Sequence, residues 1–136
     1  MVLYLRGVFR DGTDPVSLNA NDLRRPLRFP VAAMVTINLS VEDSAGVPTD
    51  LSNKVITMTV RKSPTDYSPV LVKVAQLLGR DFRRGQVTLD FVVSDTYQLR
   101  PGTYFYDVVQ TSGLPGAPRE MLIQASPLYL EQAVSR

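Results

Sequence analysis

From residue 34 onward, apolar and polar side chains alternate along the chain, the pattern of strands with one face buried and one wet. "MVTINLSVED" puts Val35, Ile37, Leu39 and Val41 on one face, and Thr36, Asn38 and Ser40 on the other. "KVITMTVRK" repeats the scheme with Ile56, Met58 and Val60 inward, and "QVTLDFVVS" with Val87, Leu89, Phe91 and Val93. Between these runs lie "DSAGVPTD", "SPTDYSP", "GRDFRRG", "DTYQLRPG" and "TSGLPGAP", clusters of Gly, Pro, Asp and Ser that turn the chain. "VLVKVAQLL" alternates less cleanly, and helix is the competing reading for residues 71–78. "REMLIQA" with "SPLYLEQ" supplies one or two final strands. The pattern predicts an all-β sandwich of about seven short strands, with turn signals every 8–12 residues.

"LRPGTYFYDVV" asks what its tyrosines are for. In sandwiches of this kind a leucine and a turn lead into a strand whose first tyrosine folds back, its hydroxyl bonding backbone a few residues upstream. Leu99, Pro101, Gly102 and Tyr104 fit that tyrosine corner, with Tyr106 and Val108 following on the inner face. An aromatic platform for sugars or bases would need exposed rings, whereas these share a face with valine.

The first 33 residues break the pattern, although "MVLYLRGVFRDG" could be one short strand with a turn. Prolines at 15, 26 and 30 favour extended backbone in the residues before them. The expectation is an extended N-terminal arm (residues 1–33) outside a sandwich (residues 34–136). Arg24, Arg25, Leu27, Arg28 and Phe29 interleave charge with apolar groups, which suits burial against a neighbouring subunit. The same segment could instead wrap its own domain and cover an open sheet edge.

Composition narrows the chemistry. The 136 residues contain neither cysteine nor histidine. Disulfides, thiol catalysis, thiolate or imidazole metal sites and any histidine-based triad are therefore out. A formal net charge of +2 does not argue for nucleic acid. No apolar run approaches the roughly 18 residues of a membrane span. The start, "MVLYLRGVFRDG", lacks a secretory signal's apolar stretch, so a soluble protein made in a cytoplasm is expected.

No constellation announces a reaction, and no cofactor is implied. Asp90 and Asp107 fall on polar strand faces. Glu42, Asp43 and Asp50 flank one turn and could hold calcium, but their spacing matches no EF-hand loop and Asp in turns bonds its own backbone. No glycine spacing cradles phosphate. "RDFRRG" sets Phe82 among Arg80, Arg83 and Arg84, a contact for an acidic partner or a base, or else a solvated loop. Tyr67, Tyr97, Phe105 and Tyr129 are the rings a glycan could stack on. Phe105, at an outward strand position, is also a candidate protein contact.

Residues 35–136 resemble the immunoglobulin-like domain of phage tail and baseplate proteins, such as the N-terminal domain of upper baseplate proteins. The resemblance rests on the turn formed by Asp43, Gly46, Pro48, Asp50 and Leu51, the strand end Val60, Arg61 and Lys62, and the corner from Asp95 to Val108. It implies an immunoglobulin-like antiparallel β-sandwich and a non-enzymatic virion structural role, with other tail, baseplate or capsid subunits as partners in a homo-oligomer or symmetric lattice. A short chain with an added arm suits a tail or baseplate adaptor or a capsid decoration subunit. The alternative is a module binding host-surface glycan or protein.

Overall fold

A computed structural model describes residues 1–9, 26–43, 45–76, 82–112 and 119–132 of the chain. Its strands, in chain order, are β1 (Val2–Phe9), β2 (Leu27–Pro30), β3 (Val35–Asp43), β4 (Val55–Arg61), β5 (Leu71–Val74), β6 (Gln86–Phe91), β7 (Gly102–Thr111) and β8 (Glu120–Glu131). A single helical turn, α1 (Val93–Thr96), joins β6 to β7. The strands form two facing sheets, β1-β3-β6 and β2-β8-β7-β4-β5. Among the described residues no helix is long and apolar enough to cross a membrane.

The period-two runs build both sheets. On β3, Val35, Ile37, Leu39 and Val41 are buried, and β6 sets Leu89 opposite Ile37 and Phe91 opposite Val35. Across the interlayer space, β4 presents Met58 and Val60, which pair in register with Val108 and Tyr106 of β7. Each such side chain removed from water contributes about 1.5–3 kcal/mol. The "DSAGVPTDLSN" connection is anchored rather than loose. Asp43 Oδ1 accepts the N–H groups of Ala45 and Val47, both at 2.9 Å, and Leu51 is fully buried beneath the turn. Gly46 takes φ +85° there, a conformation that favours glycine.

The N-terminal residues depart from expectation. Residues 1–33 are not an arm outside the sandwich where they are described. β1 pairs in parallel with β3, Leu5 lying opposite Leu39, and β2 pairs in parallel with β8, Phe29 lying opposite Leu130. Leu27 and Phe29 are buried, and the Phe29 ring packs tilted at 54° against Phe91 with centroids 5.4 Å apart. The physical reason is that the sandwich needs these side chains to close the gap between its sheets at one edge. The wrapping alternative describes them. Arg24 and Arg25 lie outside the described residues.

Two smaller differences follow, and two readings left open by the sequence are resolved. The sheets are mixed rather than purely antiparallel, because both N-terminal strands run parallel to their neighbours. Val93 leaves the face of β6: the strand ends at Phe91 and Val93 opens α1, exposed. Residues 71–74 are strand, not helix, and the chain then crosses to the other sheet through a Gln76–Thr88 bridge. The last two runs are one twelve-residue strand, β8, whose pairing with β7 shifts register around Val108.

Candidate interaction surfaces

One end of the sandwich is tied by a chain of side-chain bonds around α1. Asp95 Oδ2 accepts the Val92 N–H at 2.8 Å and the Lys73 ammonium at 2.7 Å. Burial pushes the Asp95 carboxyl up, but the Lys73 and Val92 donors outweigh it and leave the group below its ordinary value. The buried Thr96 Oγ1 accepts the Ala32 N–H at 2.8 Å, fixing the tight turn between β2 and β3, where Ala32 sits at φ +58°. Tyr104 Oη donates to the Arg100 carbonyl at 2.8 Å, the defining bond of a tyrosine corner. Leu99 packs against the core beneath it, and Gly102, at φ +152°, follows Pro101 into β7. Tyr106 is buried two residues on. These tyrosines hold backbone and core, and offer no ring to a ligand.

The outer face of the five-stranded sheet carries charge in balanced pairs. Arg61 Nη1 meets Asp107 Oδ2 at 2.8 Å, both side chains three-quarters or more buried. Arg61 and Asp107 line a small hollow with Phe105 and Pro64, and a shallow one of about 280 Å³ with Val109, Arg119 and Met121. Phe105 is half-buried rather than fully outward, because it sits opposite Pro127. At the β2 edge, Arg28 stacks its guanidinium 4.7 Å from the Tyr129 ring centroid and reaches Glu131 at 3.2 Å. Tyr129 is thus already covered, whereas Tyr67 and Tyr97 are exposed.

The remaining candidates divide. Phe82 packs partly against the core, and its carbonyl accepts the Leu51 N–H at 2.9 Å. Its ring is therefore not a free stacking platform. Arg83, exposed, lies 5.9 Å from that ring, and Arg84 is exposed beside it. In the β3–β4 turn, Asp50 accepts both the N–H and the hydroxyl of Ser52, which holds its carboxyl below the ordinary value. Glu42 pairs with Arg6. Among the described residues no three carboxylates converge as metal ligands. Of the arm residues, Leu27 and Phe29 are core and Arg28 faces solvent.

Sequence reasoning missed the outer side of β1. Val2, Tyr4 and the neighbouring Met34 stand exposed there, Tyr4 at 77%. "VLYLRG" alternates and reads as a short strand, but nothing in it shows that the strand joins β3 in a sheet and leaves these side chains outward.

No family model matches the chain, and no curated protein matches it. Among solved structures, it is similar to the N-terminal domain of phage TP901-1 ORF48. The two are 11% identical and superpose with a TM-score of 0.56, over 97% of this chain and 100% of that one. What they share is the fold.

Proposed function

We propose that the chain is a non-enzymatic structural protein of a phage virion, a small tail or baseplate adaptor or a capsid decoration subunit. It works through contacts with other virion proteins, in a homo-oligomer or symmetric lattice assembled in the host cytoplasm. The observation that carries this reading is the fold likeness to a phage protein's domain over nearly the whole of both chains. The turn and corner motifs that resemble phage baseplate domains support it from the sequence side. Polar chemistry points the same way: Asp43, Asp95 and Asp107 are engaged in a turn, a helix cap with its lysine, and a cross-strand pair. Their work is to hold shape.

Mass spectrometry of purified particles made from the genome that encodes the chain tests the reading. The protein is expected in fixed proportion to a major structural subunit. Its absence from washed particles that otherwise contain every structural protein overturns the proposal.

A further inference from the structure

A sheet edge is a row of unpaired backbone N–H and C=O groups, and proteins blunt such edges to prevent unwanted pairing. Among the described residues the two sheets have four edges, and three of them are blunted. β2 is four residues long, follows Pro26 and ends in Pro30. β5 is equally short and turns Lys73 inward to Asp95. β6 is bridged at Thr88 by Gln76, with bonds of 2.7 and 3.2 Å. The fourth, β1, is eight residues long, contains no proline and carries exposed Val2 and Tyr4.

The groups on it that have no partner among the described residues can be named. The Thr36 N–H bonds the Met1 carbonyl at 3.0 Å, so the parallel ladder engages alternate residues: Leu3 and Leu5 point their amides at β3. Val2, Tyr4 and Arg6 then point theirs outward, and no described residue bonds them.

We propose that this edge is an interface for a second copy of the chain, β1 pairing antiparallel with the partner's β1 across a two-fold axis. With the axis at Leu5, Tyr4 and Arg6 exchange backbone bonds with the partner's Arg6 and the partner's Tyr4. The two three-stranded sheets become continuous, and Leu5 meets the partner's Leu5 on the inner face. On the outer face each Arg6 lies against the partner's Tyr4. Glu42 already pairs with Arg6, so the two arginines do not repel across the axis.

The protein uses the same trio at its other N-terminal strand. There Arg28 stacks on its cross-strand neighbour Tyr129, and Glu131 balances the charge. Centring the axis on Tyr4 instead sets Arg6 against the partner's Val2, where no ring or opposite charge meets it. A contact of one strand and its outer side chains falls in the small class of interfaces, below about 1,200 Å². It is therefore weak alone and strengthened where copies are held close together.

The inference rests on the reading of the chain as an assembly subunit, but its test uses purified protein. Absence from particles leaves the dimer measurement untouched, and a monomer leaves the virion reading standing. Sedimentation equilibrium of the full chain, up to about 1 mM to reach a weak association, is expected to show a reversible dimer. Tyr4→Pro removes an edge-facing N–H together with the ring that meets the partner's Arg6, and Tyr4→Lys sets a cation against that arginine. Each is expected to weaken the dimer at least tenfold. Met121→Asp, on the outer face of the other sheet, leaves it unchanged. By NMR, the Tyr4 and Arg6 amides gain exchange protection with concentration, while Leu3 and Leu5 do not. Thermal unfolding checks that the variants fold, and Tyr4→Lys decides the matter if Tyr4→Pro does not. A monomer at every concentration, or a dimer that survives Tyr4→Lys, overturns the proposal.

Discussion

Replacing Phe29 with alanine separates a strand that belongs to the core from an arm that merely lies near it. The ring is 1% exposed, faces Phe91 at 5.4 Å and fills the gap where β2 closes the sandwich. Truncating a buried Phe to Ala costs about 3–5 kcal/mol in lost transfer energy and residual cavity. The aromatic contact accounts for about 0.5–1.5 kcal/mol beyond burial. A short edge strand can relax inward, so a loss of about 3 kcal/mol is expected. Against a total stability of about 5–15 kcal/mol, this is a large fraction. For a chain of this size it lowers Tm by about 10 °C. Urea unfolding followed by far-UV circular dichroism measures it, with an unchanged slope showing that the unfolded state is not altered. Arg28→Ala, the outward neighbour on the same strand, is the control and costs less than about 1 kcal/mol, as exposed pairs do. If Phe29→Ala costs no more than the roughly 0.5 kcal/mol typical of a surface position, β2 is not part of the core and the reasoning fails.

Tyr104→Phe keeps the ring and removes the bond to the Arg100 carbonyl, at an expected cost of about 1 kcal/mol in the same urea assay. Asp95→Asn is expected to cost about 1–3 kcal/mol near neutral pH, because a half-buried Lys73 and the Val92 amide lose a charged acceptor. The Asp95 carboxyl lies below its ordinary value when folded, so its contribution is present above the unfolded value near 3.9 and fades as pH falls through the folded one. The gap between wild type and Asp95→Asn therefore narrows in acid, and a gap that widens there contradicts the assignment. Gly85→Ala puts a Cβ 2.2 Å from the Val41 carbonyl at φ +79°, and a loss above about 3 kcal/mol is expected by thermal unfolding. Gly46→Ala, at φ +85° but facing open space, costs only about 1–2 kcal/mol.

Where a strand is half buried, its side chains report that directly, which is why β3, β4, β6 and β7 were legible from alternation alone. The tyrosine corner was legible for a related reason: Leu99, Pro101, Gly102 and Tyr104 are local in sequence, and their geometry is set by the turn itself. The pairing of β1 and β2 was not, although a short strand could be read at the start of the chain, because parallel edge pairing is decided by residues far along the chain. Leu27 lies against Leu128, and nothing near residue 27 says so. Prolines at 26 and 30 read as an extended arm because they do enforce extended backbone. On an edge strand that is equally permitted. Lys73 on β5 and Asp95 in α1 lie 22 residues apart, and their pairing became visible only with the fold. That β1 has no outer neighbour among the described residues was hidden because an edge is a property of the whole sheet.

The central claim is that the N-terminal residues complete the sandwich, and that the outer side of β1 has no strand partner among the described residues. Residue-resolved amide hydrogen exchange on the dilute full chain tests this most directly. The Val31 N–H bonds the Glu131 carbonyl at 2.9 Å, so the parallel register engages Phe29 and Val31 with β8, and Leu3 and Leu5 with β3. The account predicts that these four amides open with free energies approaching global unfolding, while Tyr4, Arg6 and Arg28 exchange quickly. Exchange at free-peptide rates for Leu5, Phe29 and Val31 alike would contradict it.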